Sequence, residues 1–166
     1  MASYDEGKDF VVGWINEHIS KEAKVLDVGA CDGKWRKLLP NYPNMDAVEV
    51  FEPNITGNHL EQLYNEVFCA DICDFKYDHY DLVIFGDIIE HLTVEQAQAV
   101  LEYANGHCDQ YIVAVPYLYP QGALYGNEHE RHLQPDLTPE IVLARYPYLV
   151  ELFGTKNYGY YTRGLI

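Results

Sequence analysis

The stretch VLDVGACDG, residues 25–33, decides how the rest of the chain is read. A run of apolar residues carries Asp27, then Gly29, two small residues, Asp32 and Gly33. This is the pattern of a strand running into a tight, glycine-lined turn. The dinucleotide fingerprint Gly-x-Gly-x-x-Gly would place its middle glycine where Cys31 stands. Three readings are open at this point: a dinucleotide site, a site for another adenosine-bearing ligand, or a plain turn.

On either side, strands alternate with helices. Upstream, Val11, Trp14, Ile15 and His18 recur at helical spacing, which predicts an amphipathic helix over 5–19. Downstream, a short helix over 33–39 stops before Pro40, and MDAVEVFE (45–52) is a second strand. NITGNHLEQLYN has an Asn start and helical spacing, and EVFCA is a short third strand. YDLVIFG (80–86) is almost continuously apolar, as a strand covered on both faces is. Thr93 and Gln96 form a capping-box pattern ahead of Val94, Ala97, Leu101 and Ala104 on one helical face. YIVAVP is a fifth strand, and a loop punctuated by Gly and Pro spans 116–137. Thr138-Pro139-Glu140 begins a helix. The tail YLVELFGTKNYGYYTRG holds two β-rich runs close enough for a hairpin. Five βα units and a hairpin predict a three-layer α/β sandwich, Rossmann-like, with a mostly parallel sheet and an antiparallel C-terminal hairpin strand.

The bulk properties set limits. The 166 residues match one compact domain, expected to span 1–166, and 48% are hydrophobic, enough for a core. No apolar run approaches the ~18 residues of a membrane span. The acidic start MASYDEGKDF does not resemble a secretion signal. Cys31, Cys69, Cys73 and Cys108 form no CxxC pair and are expected to be reduced thiols of a cytoplasmic protein. With 26 acids against 11 bases, net −15, and only Lys34, Arg36 and Lys37 clustered, long nucleic acid is not the expected partner.

A doubly wound sheet binds ligands beyond the carboxyl ends of its strands, next to the first strand. The tip residues are therefore the ones to weigh. Gly29 and Gly33 let the backbone turn sharply and come close to a ligand. Glu52, about 20 residues on, could accept both ribose hydroxyls. Asp71 with Ile72 suits an adenine amino group and ring face, and Gly86-Asp87 ends the fourth strand. Each of these alone is commonplace; three successive tips in this order are not. The acids decide among ligands. A pyrophosphate on the helix N-terminus would be repelled by Asp27 and Asp32. A ligand with a positive amino group would be welcomed, and S-adenosylmethionine carries a cationic ammonium and sulfonium besides its ribose and adenine.

VLDVGACDG, AVEVFEPN, CADICDF and YDLVIFGDIIEHL, in that order over about 22–116, resemble the class I S-adenosylmethionine-dependent methyltransferases. The terminal hairpin fits that family's last two strands. The resemblance implies that Asp27, Gly29, Ala30, Cys31 and Gly33 hold the methionine part. It gives the ribose to Glu52, the adenine to Asp71 and Ile72, and the methyl-transfer cleft to Gly86 and Asp87. Many members have glycine where Cys31 stands, and the family varies there.

Two further clusters follow strand tips. GDIIEHL carries Asp87, Glu90 and His91; YGNEHERH carries His129, Glu130, Arg131 and His132. A hydroxyl acceptor needs its proton removed, and His91, His129 and His132 are the candidate bases. No Asn/Asp-Pro-Pro-Tyr motif follows the fourth strand, which favours oxygen over nitrogen as acceptor. The Asp-x-x-Glu-His run with a later histidine is also similar to small-RNA 3′-terminal 2′-O-methyltransferases, which hold a divalent ion. EHL after the fourth strand is equally similar to small-molecule O-methyltransferases in which a metal is not general. The expectation is an enzyme methylating a small molecule, with no metal, and with Tyr117, Tyr119 and Tyr125 either in a lid or packed on the core. The alternatives are a metal-assisted RNA methyltransferase and a cofactor-binding protein without activity. The acceptor pocket would come from the first helix, the fourth strand tip and the 116–137 loop, or from a second subunit in a homodimer.

Overall fold

The structure, a computed structural model, describes residues 4–164. In chain order its elements are α1 (Lys8–His18), β1 (Val25–Val28), α2 (Lys34–Leu38), β2 (Met45–Glu49), α3 (Glu52–Gly57), β3 (Val67–Cys69), β4 (Tyr80–Gly86), α4 (Val94–His107), β5 (Cys108–Pro116), α5 (Pro139–Arg145), β6 (Leu149–Gly154) and β7 (Tyr158–Arg163). Short 3-10 turns lie at Leu60–Gln62, Ile89–His91 and Glu128–Glu130.

The seven strands form one sheet in the order β3-β2-β1-β4-β5-β7-β6. The first five are parallel to one another, and β7 runs antiparallel to both β5 and β6. Parallel neighbours need crossovers, and the helices supply them on both faces. Side-chain alternation sorts the strands into two cores. Val25, Ala47, Leu82, Ile84, Ile112 and Ala114 pack with Val11 and Ile15 of α1, Trp35 of α2 and Ile55 of α3. Leu26, Val28, Val83, Phe85, Val113 and Val115 pack with Ala97, Leu101 and Ala104 of α4 and Val142 of α5.

The local signals explain the boundaries. Thr93 accepts from Gln96 N while the Gln96 side chain accepts from Thr93 N, closing the capping box at α4. Thr138 accepts from Ile141 N ahead of Pro139. Two expectations are corrected. The second strand ends at Glu49, three residues short of Glu52, which instead opens α3 beside Pro53. The long helix read in NITGNHLEQLYN is broken, because the chain turns at Gly57-Asn58 and His59 takes a left-handed φ of 52° before the 3-10 turn. In α1, Val11 and Ile15 are buried as expected, but His18 is exposed and stacks on the half-buried Trp14.

Candidate functional site

β1 and β4 are neighbours in the sheet, but the chain leaves them in opposite directions, β1 toward β2 and β4 toward β5. The loops after them diverge and leave a crevice at the carboxyl ends of the strands. A cleft with about 940 Å³ of empty space, open mouth included, lies there. That is within the size range of small-ligand sites (~300–1,000 Å³).

The 29–33 turn forms one wall. Gly29, Cys31 and Gly33 have φ of 71°, 49° and 76°. Left-handed backbone at residue 31 is the physical reason a glycine would suit it; Cys31 adopts it at a cost of roughly 1–2 kcal/mol. Its backbone is tied on both sides, its N–H donating to Glu49 Oε2 at 2.9 Å and its carbonyl accepting from Asn58 Nδ2 at 2.8 Å. At Gly29 a Cβ would stand 2.2 Å from Ile88 Cδ1. At Gly86 it would stand 2.2 Å from Trp35 Nε1, so the glycine lets the indole close the cleft floor.

Ala30, Asp32, Asp71, Ile72, Gly86, Asp87, His91 and His129 line the cleft with Gly29 and Cys31. Four expected site residues stand elsewhere. Glu52 is exposed on α3, outside the lining, because the strand ends earlier; Glu49, 4% exposed, is the acid in the wall. Its second oxygen accepts from Phe51 N at 2.9 Å, so two backbone N–H groups aim this carboxylate at the turn. Gly33 caps α2 under Leu63 rather than lining the cleft. His132 lies behind His91, ring centroids 4.7 Å apart. Asp27 is fully buried behind the turn, and Tyr64 donates to its Oδ2 at 2.5 Å. The acid in AVEV was the available signal for Glu49: a carboxylate inside an apolar strand needs partners.

Burial pushes the Asp27 carboxyl up to about 7, with the Tyr64 hydrogen bond opposing and Glu49 reinforcing the shift. A carboxyl whose folded pKa is raised keeps a proton that the unfolded chain has released, so stability falls as pH rises between about 4 and about 7. The ligand-free protein is expected to lose up to about 4 kcal/mol across that window through this group. Asp27→Asn should flatten the slope; urea titrations at both ends of the window check it, and an unchanged slope refutes the assignment.

The histidines differ. Burial, with His132 adding, pushes His91 down to about 4, and burial also lowers His132. Glu90 beside them is fully buried and held well above the usual carboxyl range by burial and then by Asp87. Asp87, with a φ of 56°, accepts from the Tyr158 hydroxyl. Of the loop tyrosines, Tyr117 packs into the core and bonds Tyr161, Tyr119 is half-buried beside His132, and Tyr125 is 94% exposed. None of the three lines the cleft.

No family profile matches the sequence, and no curated protein does. Solved structures do match. A S-adenosylmethionine-dependent methyltransferase from Clostridium acetobutylicum ATCC 824 superposes with a TM-score of 0.74 at 13% identity, over 99% of this chain and 92% of that one. The 1,6-didemethyltoxoflavin-N1-methyltransferase of Burkholderia thailandensis, with bound 1,6-didemethyltoxoflavin and S-adenosylhomocysteine, gives 0.69 at 16%, over 96% and 78%. Magnesium protoporphyrin IX methyltransferase from Synechocystis PCC 6803, with bound S-adenosylmethionine, gives 0.66 at 15%, over 93% and 76%. With its strand order, antiparallel β7 and crevice at the β1–β4 switch, the chain has the Rossmann-like fold of the class I S-adenosylmethionine-dependent methyltransferases.

Proposed function

We propose that the protein is a S-adenosylmethionine-dependent methyltransferase acting on an oxygen of a small molecule. The observation that carries this reading is the charge of the cleft. Asp32, Glu49, Asp71, Asp87 and Glu130 line it, against Lys34 as its basic residue. Such a wall repels a pyrophosphate and favours a cationic sulfonium and ammonium. Glu49 takes the ribose hydroxyls in place of Glu52, and Asp71 with Ile72 takes the adenine. Gly29 to Asp32 hold the methionine end, with Asp27 buried behind the turn. Three of the similar structures named above are methyltransferases, two of them with S-adenosylmethionine or S-adenosylhomocysteine bound, which supports the cofactor.

Methyl transfer is an in-line displacement at the sulfonium carbon, helped mainly by positioning and exclusion of water. Of the three histidines, His129 is the better placed base. It lines the cleft, whereas His91 is a weak proton acceptor so far below neutrality and His132 stands behind it. Asn127 Oδ1 accepts from His129 N at 3.0 Å and fixes the turn that presents it. A net charge of −15 disfavours long RNA as the acceptor.

Calorimetry with S-adenosylmethionine, S-adenosylhomocysteine and NAD tests the reading. Both adenosyl amino acids should bind and NAD should not; NAD binding without them would overturn it. A screen of methyl acceptors then separates an enzyme from a binding protein, with His129→Ala expected to lower turnover by about 100-fold while cofactor affinity holds.

A further inference from the structure

The cleft wall is acidic except at one corner, where the residues leading into α1 meet the start of α2. We propose that Asp5 of the chain itself occupies a carboxylate-binding corner made by Lys34 Nζ and Trp35 Nε1, and that the α-carboxylate of the adenosyl amino acid displaces it. The inference rests on the cofactor reading above and adds an internal competitor for that site.

The first observation is the Trp35 indole. Trp35 is 4% exposed and lines the cleft, and its Nε1 has no hydrogen-bond partner among the described residues. The atom stands over Gly86 at the tip of β4, where an added Cβ would come within 2.2 Å of it. An indole N–H only donates, and buried polar groups are ordinarily paired. A ligand oxygen would satisfy it.

The second is the contact between Lys34 and Asp5. Lys34 is the only lysine or arginine among the described residues that line the cleft. Its Nζ donates to Asp5 Oδ1 at 2.8 Å, so a carboxylate already stands at this corner. The Asp5 side chain is 88% exposed and that of Lys34 21%. A pair so exposed is weak, and another carboxylate can replace it at little cost. The backbone around Asp5 has its own anchors. Lys8 N donates to Asp5 O at 3.1 Å and the Tyr160 hydroxyl donates to Glu6 O at 2.6 Å. Only the Asp5 side chain has to move.

The third is the order of charges. Asp32 Oδ1 accepts from Lys34 N at 3.1 Å, so an acid and a base stand side by side in the wall. The amino acid end of the cofactor carries an ammonium and a carboxylate on one carbon and needs that arrangement. Elsewhere the wall presents Glu49, Asp71, Asp87 and Glu130, which repel a carboxylate. A second cation, the Lys8 ammonium, is 2% exposed and lies 5.3 Å from the centroid of the Trp35 ring.

The test is calorimetry on the full chain with two probes. One is S-adenosylhomocysteine; the other is S-adenosyl-3-thiopropylamine, the same molecule without the carboxylate. S-adenosylhomocysteine should bind about tenfold tighter or more. Lys34→Met should weaken S-adenosylhomocysteine by about tenfold and Trp35→Phe by about fivefold, each leaving the amine probe unchanged. Asp5→Ala should tighten S-adenosylhomocysteine by about two- to fivefold and leave the amine probe unchanged. Asp5 and Lys34 lie at the surface, so their variants stay informative if Trp35→Phe fails to fold. Equal affinity for the two probes, an equal loss of both with Lys34→Met, or no gain with Asp5→Ala would overturn the proposal while the cofactor reading stands. Failure of both probes to bind the unaltered chain would overturn the two together.

Discussion

Glu49→Gln is expected to weaken S-adenosylmethionine binding by about tenfold to a few hundredfold, while Glu52→Ala leaves it unchanged. The magnitude follows from the bonds involved. Each hydrogen bond to a charged group is worth ~1.5–3 kcal/mol, and a ribose offers two hydroxyls to one carboxylate. Glutamine keeps the shape and one acceptor, so part of the binding survives. Glu49 also accepts from Cys31 N and Phe51 N, and the substitution loosens the turn as well as the ribose contact. Glu52 shares the sequence neighbourhood but stands exposed on α3. Calorimetry on both variants, with melting curves as a check on folding, decides it. Lost affinity with Glu52→Ala and none with Glu49→Gln would return the ribose to residue 52.

Gly29→Ala should abolish measurable cofactor binding and lower stability by about 2–4 kcal/mol. Two effects add. A side chain at a φ of 71° costs roughly 1–2 kcal/mol, and the new Cβ would sit 2.2 Å from Ile88 Cδ1. Ile88 lines the cleft, so relieving the clash pushes it into the ligand's space. Because the opposing atom ends a flexible side chain, Ile88→Ala in the same molecule should recover part of both losses. The recovered part measures the clash and the remainder measures the backbone strain. A double variant no better than Gly29→Ala would show that the backbone conformation, and not the contact with Ile88, is what the position requires.

Much of the fold follows from patterns within single segments. YDLVIFG forms β4 from its first residue to its last, Thr93 and Gln96 close the capping box, and the tail folds into a hairpin. These features are local: apolar run length, a side chain three residues from its backbone partner, and two β-rich runs with a short connection. Where the elements differ from the sequence expectation, nearby signals compete. VEVFE offers two acids at similar distance from the glycine turn, and Pro53 makes a helix start as compatible with Glu52 as a strand end. His59 in left-handed backbone breaks a helix whose spacing looked continuous.

By itself the sequence determined the alternation of strands and helices, the glycine turn and the acidic character of the strand tips. Those follow from side-chain volume, polarity and turn chemistry, which each residue carries with it. Only the tertiary structure decided which acid faces the cleft, that Asp27 stands behind the turn with Tyr64, and that Glu90, His91 and His132 converge. Those outcomes depend on strand register, on the residue at which each strand ends and on a loop 41 residues beyond His91 folding back to Glu90, relations between segments that no single segment encodes.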